Sequence, residues 1–360
     1  MNSKHTIWLL GTAAAALCGT SAAAQSTGTP AGTQVDNVAR IDYSSGGVAQ
    51  APVNSNTSSF LVDEKINLTV AELGGVATVA GAGGTGYVTE FTVTNLSNAR
   101  QDFALSAAQD ATGATTAFGQ VDGFNVANLR FFVDNGDNVF NPAQDTLTFV
   151  DELAPGASVR VFVLGDIPAG TADGLYAGIT LTAQAAQDGT AGTLGPVQVQ
   201  STGPDTANVD IVFADGAGDT DAANDGRFSD DDEYRINAPN FALVKSSRVI
   251  SDPVAGVSAN AHRIPGAVVE YCIAATNNGS GAATGATVTD NLSNVTGVTY
   301  LAGSLFVGAT VSSGTCSGGT LVTDDNDADN GSVVSEVVSG TLGTIAVGAT
   351  SAVRFRVTVD

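Results

Sequence analysis

The stretch AVVEYCIAATNNGSGAATGATVTDNL, residues 267–292, alternates apolar and polar side chains, enters a loop of Asn, Gly and Ser, and then alternates again. This pattern predicts two half-buried antiparallel β-strands joined by a loop. In the first strand Val269, Tyr271 and Ile273 share one face. A weaker copy of the same phrase, YVTEFTVTNLSNARQDFAL, occupies residues 87–105. The sequence therefore predicts two related β domains.

A second phrase is repeated in the same order. LAPGASVRVFVLGDI, residues 153–167, parallels IAVGATSAVRFRVTV, residues 345–359, and each is a turn followed by an alternating strand. Further short alternating segments lie between these phrases, separated by Gly, Pro, Asn or Asp. Several short strands at this spacing are typical of a sandwich and not of alternating strands and helices. The predicted fold is all-β, with two tandem antiparallel β-sandwich domains.

Shifts in composition divide the chain. Residues 25–59 are rich in Ser, Thr, Gly and Asn, whereas residues 214–240 are polar and acidic and contain Pro239. Such segments favour loops and linkers. The predicted division is a signal peptide at residues 1–24, a flexible arm at 25–59 with one strand at 32–43, a first sandwich domain at 60–213, an acidic linker or calcium loop at 214–240, and a second sandwich domain at 241–360.

The first 24 residues have the pattern of a secretory signal peptide. Lys4 and His5 precede an apolar run at residues 7–17, and Ala22, Ala23 and Ala24 form the small-residue cleavage site. The apolar run is too short to span a bilayer, and no later segment approaches the roughly 20 apolar residues that a membrane helix needs. We expect an exported protein without a transmembrane segment, located outside the cell or at its surface, with the periplasm as the alternative.

The charge balance excludes one class of partner. The chain has 36 acidic and 13 basic residues, a net charge of -23. A chain so acidic repels nucleic acid and anionic lipid, so no nucleic-acid partner is expected.

The sequence gives little support for catalysis. His262 is the one histidine after the signal peptide, and no nucleophile elbow, phosphate-binding loop or zinc-ligand spacing occurs. Aromatic residues make up 6% of the chain, and its one Trp lies in the signal peptide, so surfaces for stacking sugars are scarce. We predict that the protein is not an enzyme.

Two cysteines, Cys272 and Cys316, follow the signal peptide. An exported protein meets an oxidising compartment, where a disulfide between them is the natural pairing. Two free buried thiols are the alternative.

Acidic loops offer candidate calcium ligands, because calcium prefers several hard oxygens on a bending loop. The first candidate set lies around Gly226 and comprises Asp219, Asp221, Asp225, Asp230 and Asp232. Its match to a calcium loop is imperfect, because Ala223 falls at an expected ligand position. A second, looser set comprises Asp134, Asp137, Asn138 and Asp145. Calcium is the one cofactor predicted, and solvated loops without an ion are the alternative.

The second domain resembles a known family, the bacterial extracellular repeat called domain of unknown function 11. The resembling residues are Lys245, Arg263, Ile264, Pro265, Gly266, Ala267, Tyr271, Thr276, Asn277, Asn278, Gly279, Val288, Thr289, Asp290, Asn291, Leu292, Leu342, Gly343 and Thr344. A weaker copy covers residues 61–187, which lack the Arg-x-Pro-Gly phrase. The resemblance implies immunoglobulin-like β-sandwiches of secreted or surface proteins and no established chemistry.

One departure from this family suggests self-assembly. In the family, the strand that resembles VRFRVTV is commonly followed by a segment of the form Gly-Thr-x-Ile-x-Asn-x-Ala-x-x-x-Tyr. Here such a segment occurs at residues 32–43, and its strand-addition candidates are Val35, Val38, Ile41 and Tyr43. An open sheet edge can accept a strand from a neighbouring chain. The alternatives are that residues 32–43 complete the first domain of their own chain, or that the last domain tolerates a short edge.

These inferences predict a secreted structural or adhesive protein of the bacterial surface, with tandem immunoglobulin-like modules that self-assemble by strand addition. Its partners would be other copies of itself or other surface components. The alternative function is a calcium-responsive module that binds a glycan or a protein outside the cell.

Overall fold

The computed structural model describes residues 28–360, so the predicted signal peptide lies outside the described residues. The described chain is all-β, as predicted, and residues 28–360 contain no helix. In particular, none of these residues forms a helix of the length and apolar character that crossing a membrane requires. The chain forms an N-terminal β-hairpin followed by two β-sandwich domains.

Residues 32–62 form the N-terminal hairpin. Its strands are β1 Gln34–Asn37, β2 Arg40–Ile41, β3 Ser44–Ser45, β4 Val48–Ala49, β5 Val53–Asn54 and β6 Ser58–Leu61. They pair as β1 with β6, β2 with β5 and β3 with β4. Gly46 and Gly47, with φ of 58° and 83°, make the tight turn at the tip. The predicted arm with a single strand at residues 32–43 is therefore wrong, because a return strand pairs with it.

The first domain is a sandwich of two sheets. Its strands are β7 Glu64–Ile66, β8 Leu68–Glu72, β9 Thr78–Ala80, β10 Tyr87–Asn95, β11 Gln101–Gln109, β12 Ala127–Val133, β13 Phe149–Leu153, β14 Ser158–Asp166, β15 Tyr176–Gln187, β16 Ile211–Phe213 and β17 Arg227–Ile236. One sheet has the order β12-β14-β10-β8, the other β13-β11-β15-β17-β9, and β16 pairs with β7. Phe91, Phe103 and Leu181 are among the fully buried side chains between them.

The predicted acidic linker at residues 214–240 contains the ten-residue strand β17. Within it, β17 pairs with β15 from Arg227 to Arg235 in unbroken antiparallel register. Tyr234 and Ile236 are fully buried in the core of the first domain. The prediction of a linker is wrong for β17, because apolar residues that pack between the sheets alternate with its acidic residues. The first domain consequently extends through β17.

The second domain is an unequal sandwich. Its strands are β18 Phe241–Ser251, β19 Val268–Asn277, β20 Thr287–Asn291, β21 Val298–Tyr300, β22 Phe306–Ser312, β23 Thr315–Ser317, β24 Thr320–Leu321, β25 Gly331–Val334, β26 Val337–Thr341 and β27 Thr350–Val359. A seven-stranded sheet has the path β18-β19-β27-β22-β23, with β21 on β27 and β24 on β22, and it faces a three-stranded sheet of order β20-β26-β25. Ile273, Val338 and Phe355 pack between them.

Cys272 in β19 and Cys316 in β23 form the predicted disulfide, with their Cα atoms 5.5 Å apart. Both are buried in a small cluster with Ala274, Ala309 and Ala352, which is separate from the core between the sheets. The bond ties the β22–β23 hairpin to a central strand of the large sheet.

Candidate functional site

A buried asparagine marks equivalent points in the two domains. Asn95 ends β10, Asn277 ends β19, and both are fully buried. Each side chain donates to two backbone carbonyls and accepts from the backbone N–H two residues later. The partners are Ala99, Leu153 and Ser97 for the first asparagine and Gly281, Ile345 and Gly279 for the second. With these points aligned, β8, β10, β11, β12, β13 and β14 correspond in order to β18, β19, β20, β22, β26 and β27.

The two domains meet end to end at a hydrogen-bonded junction. The carboxylate of Asp173 accepts from the backbone N–H of Ala238 at 2.9 Å and of Ser280 at 2.9 Å, and also from the Ser280 hydroxyl. The Ser280 hydroxyl lies 3.0 Å from the side-chain oxygen of Asn237. Burial raises the pKa of Asp173, but the hydrogen bonds from Ala238 and Ser280 outweigh it and leave that pKa below its ordinary value.

The N-terminal hairpin joins the first domain at the corresponding place. Asn98 lies three residues after Asn95, just as Ser280 lies three residues after Asn277. The Asn98 side chain accepts a hydrogen bond from the Lys65 N–H at 2.8 Å. Its amide donates to the backbone carbonyls of Thr29 at 3.1 Å and Asp63 at 2.8 Å. The hairpin is thus fixed to the end of the first domain where β10 finishes.

The strand-addition candidates lie on this hairpin with different degrees of exposure. Val35 is partly buried, and Val38, Ile41 and Tyr43 are exposed by 47%, 60% and 48%. Val35 lies in β1 and Ile41 in β2, whereas Val38 lies between these strands and Tyr43 between β2 and β3.

The return half of the hairpin carries two further exposed apolar side chains. Phe60 lies opposite Val35, and Val53 lies opposite Ile41. Both are exposed, by 61% and 53%. Sequence reasoning missed them, although the Gly46-Gly47 turn signal precedes them.

The second domain has an uncovered edge. Among the described residues, β20 pairs only with β26, whereas its counterpart β11 pairs with both β13 and β15. In the neighbouring sheet, Phe241 and Leu243 of β18 are exposed by 41% and 61%.

The first calcium set is only partly brought together. Asp219 shares a hydrogen bond with Asp230 and lies near Asp231, and burial followed by these neighbours raises its pKa to about 6. Asp110, which the sequence did not single out, faces Asp219 and Asp122, and burial raises its pKa. We call Asp110, Asp219, Asp230 and Asp231 the acidic patch.

The other members of the first set have local roles. Asp221 accepts from the Gly218 N–H at 2.8 Å, and Asp225 accepts from the Arg227 N–H at 2.9 Å. Asp232 is buried within β17, and desolvation raises its pKa to about 8. It is therefore largely protonated at neutral pH and a poor calcium ligand. These residues do not form one calcium loop, because β17 is extended where the loop would bend.

The second set holds together the loop between β12 and β13. Asp134 accepts from the Asn138 N–H at 3.1 Å, Asp137 accepts from the Val139 N–H at 2.9 Å, and Asp145 accepts from the Asn141 N–H at 2.6 Å. These hydrogen bonds stabilise the loop, which is sufficient to explain the three carboxylates. Calcium binding here remains a prediction.

The tertiary structure also gathers an acidic group that sequence reasoning did not suggest. Carboxylate oxygens of Asp63, Asp205 and Asp210 lie within 4.8 Å of one another near the base of the hairpin. Asp63 is distant in the sequence from Asp205 and Asp210, so no local pattern indicated this group.

Comparison with known proteins does not assign a family. No family model matches the chain, so the resemblance to domain of unknown function 11 stays a prediction, and no curated protein matches it. Solved structures with local similarity include one titled BspA_C_WT, at 10% identity over 81% of this chain and 91% of that chain, with a TM-score of 0.29. Another is the C-terminal domain of the Streptococcus pyogenes antigen I/II-family protein AspA, at 10% identity over 82% of this chain and 91% of that chain, with a TM-score of 0.26. Similarity at this level identifies no function.

Proposed function

We propose that this chain is an exported structural or adhesive protein whose tandem sandwich domains act as spacer or assembly modules at the bacterial cell surface. The supporting observation is the junction at Asp173, Asn237 and Ser280, where hydrogen bonds join the domains with little intervening chain. A junction of this kind favours a stiff rod over two tethered domains, because a flexible linker would leave these groups solvated.

Other features agree with a role outside the cell. The disulfide suits an oxidising compartment. The net charge of -23 favours solubility and disfavours nucleic acid as a partner. Other surface components are the partners that an adhesive role would require.

The proposal is tested by location and shape. The full chain is expressed in a bacterial host, its exported fraction and mature mass are measured, and small-angle X-ray scattering gives its dimensions. We expect cleavage after Ala24 and an elongated particle of uniform length. Asp173→Ala should broaden the distribution of dimensions, whereas Asp325→Ala, on an exposed loop, should not. A protein retained in the cytoplasm, or domains that already tumble independently in the unaltered chain, would refute this role.

The acidic patch supports a second candidate, a calcium-responsive module that binds a glycan or protein. Burial, followed by the neighbouring carboxylates of Asp230 and Asp231, raises the pKa of Asp219, and a divalent cation bound there would offset the repulsion among these carboxylates. We expect calcium at 100 times its dissociation constant to stabilise the first domain by about 2.7 kcal/mol. Asp219→Asn should abolish that gain, while Asp325→Asn should preserve it. An identical melting curve in calcium and in EDTA would exclude this candidate.

A further inference from the structure

Arginines from two strands gather on the outer face of the large sheet of the second domain. Phe355 of β27 packs between the two sheets, so its neighbours Arg354 and Arg356 lie on the outer face. Glu270 of β19 pairs with Arg356 on one side and with Arg248 of β18 on the other. All three arginines reach its carboxylate, with nitrogen–oxygen distances of 2.6 Å for Arg248, 2.9 Å for Arg354 and 3.5 Å for Arg356. We call these three residues the arginine cluster.

The arginine cluster carries more positive charge than its single carboxylate balances. Glu270 is buried, and no other carboxylate of residues 28–360 forms a salt bridge with these arginines. Three guanidinium groups against one carboxylate leave two positive charges in excess, and charges this close together repel one another. On the corresponding sheet of the first domain, by contrast, Arg160 forms one ion pair with Glu90. The arginine cluster therefore favours an additional anion.

Two members of the cluster keep donors that no group of the described chain uses. Arg354 is held in place, because its Nε donates to the Gly318 carbonyl at 2.9 Å and its guanidinium carbon lies 3.7 Å from the centre of the Phe306 ring. The side chains of Arg248 and Arg356 are exposed by 48% and 37%. Within residues 28–360, Nη1 of Arg248 and both Nη atoms of Arg356 have no hydrogen-bond partner. These N–H groups are available to a ligand.

A polar cavity of about 290 Å³ opens beside Arg248. Its wall is fixed, because the Ser246 hydroxyl donates to the Gly314 carbonyl and the disulfide ties the β22–β23 hairpin to β19. Arg263 donates to the carbonyl of Ser247 at 3.3 Å and adds a fourth positive charge next to the lining. No aliphatic or aromatic side chain of the described residues lines this cavity, and its hydroxyl groups come from Ser246, Ser247, Ser313 and Thr315.

We propose that the arginine cluster and this cavity bind an acidic glycan, through the carboxylate or sulfate groups of its sugar units. Guanidinium groups bind such oxyanions through paired N–H donors. The hydroxyl groups of the cavity both donate and accept, as the hydroxyl groups of a sugar do. An acidic peptide fits this site less well, because the lining has no apolar surface to anchor side chains. The inference rests on the proposed adhesive role and deepens it by naming the class of surface component that is bound.

The net charge of -23 does not prevent an anionic ligand from binding at this site. At 0.15 M ionic strength the Debye length is about 8 Å, so charges close to the site dominate the potential there. The attraction between the cluster and an anion is screened in turn as salt rises. Binding should therefore weaken when the ionic strength is raised from 0.15 M to about 1 M, where the Debye length is about 3 Å.

Isothermal titration calorimetry on the full chain tests the proposal with three glycan probes. Oligogalacturonate carries carboxylates, dextran sulfate carries sulfates, and dextran is uncharged. We expect binding of at least one anionic probe and none of dextran, and the anionic probe that binds more tightly identifies the preferred group.

Substitutions locate the binding to the cluster. Arg356→Gln removes a charge and its donors while Glu270 keeps Arg248 and Arg354, so it should preserve the fold and weaken binding by at least about tenfold. Arg356→Lys restores the charge without the paired donors and should recover only part of the affinity. Arg160→Gln removes the same charge from the first domain and is the matched control, with unchanged binding expected.

A second variant separates lost binding from misfolding. Arg263 is exposed and forms no salt bridge within the described chain, so Arg263→Gln should weaken binding several-fold without changing the melting temperature. Absence of binding to both anionic glycans, equal losses in Arg160→Gln, or binding that salt does not weaken would overturn the proposal. Tighter binding of poly-L-glutamate than of either glycan would overturn it in favour of an acidic peptide. An exported, elongated protein that binds no glycan would still leave the spacer role standing.

Discussion

At the scale of the residue, one buried asparagine closes the first long loop of each domain. Asn277 satisfies the backbone carbonyls of Gly281 and Ile345 and the N–H of Gly279, all with one side chain. A buried backbone group without a partner costs free energy, so an amide with both donors and an acceptor suits this position. The Asn-rich phrase was visible in the sequence, but its partners were not, because they come from distant segments.

Asn277→Ala should lower the free energy of unfolding of the second domain by about 3 kcal/mol, because it leaves several buried backbone groups without partners. Denaturant unfolding measures the change. Asn278→Ala, at the neighbouring exposed position, should change stability by less than about 0.5 kcal/mol. Equal effects of the two substitutions would contradict the role assigned to the buried amide.

Asp173 should make the domain junction sensitive to acid. Its pKa in the folded protein is lowered, so its contribution is complete above the unfolded pKa of about 3.9 and is lost as the pH falls through the folded value. Scattering between pH 7 and pH 3 should therefore show the junction loosening only at the acid end. Asp173→Asn should give a junction whose dimensions depend less on pH, and an unchanged acid response would contradict this assignment.

At the scale of the element, the disulfide and the β17 strand illustrate opposite degrees of predictability. The two cysteines that follow the predicted signal peptide leave one internal pairing, and Cys272 is bonded to Cys316. β17 was mistaken for a linker because seven of its ten residues are charged or Ser. Its partners, β15 and β9, lie far away in the sequence, and their pairing overrides local composition.

Removing the disulfide should destabilise the second domain alone. The bonded cysteines are 44 residues apart, and loop-closure entropy predicts a loss of about 4 kcal/mol, less any strain released. Cys272→Ala with Cys316→Ala should lower the denaturation midpoint of that domain and leave the first domain unchanged. Reduction of the unaltered protein should reproduce the effect, and a parallel loss in the first domain would show that the domains unfold as one unit.

At the scale of the whole molecule, the net charge of -23 opposes contact between copies. Any contact between copies would have to overcome this repulsion through burial of apolar surface and backbone pairing. Salt reduces the repulsion because the Debye length falls from about 30 Å at 0.01 M to about 8 Å at 0.15 M ionic strength.

Association between copies should consequently strengthen as salt rises over this range. Sedimentation velocity at fixed protein concentration would show larger oligomers at the higher ionic strength. Ile41→Asp, which places a charge at an exposed strand-addition candidate, should associate less at both ionic strengths and serve as the control. Weaker association in salt would mean that attraction between opposite charges, and not apolar burial, dominates the contact.

The sequence by itself determined the strand alternation, the duplicated segments, the all-β class and the cysteine pairing. Side-chain periodicity and the number of cysteines can be read from the sequence without knowledge of tertiary contacts. Tertiary structure alone decided that an acidic segment enters a sheet and that the N-terminal segment doubles back as a hairpin. The physical reason is that strands pair through backbone groups common to nearly all residues. The order of side chains can predict a strand, but the sheet edge with which that strand pairs depends on surfaces assembled from distant parts of the chain.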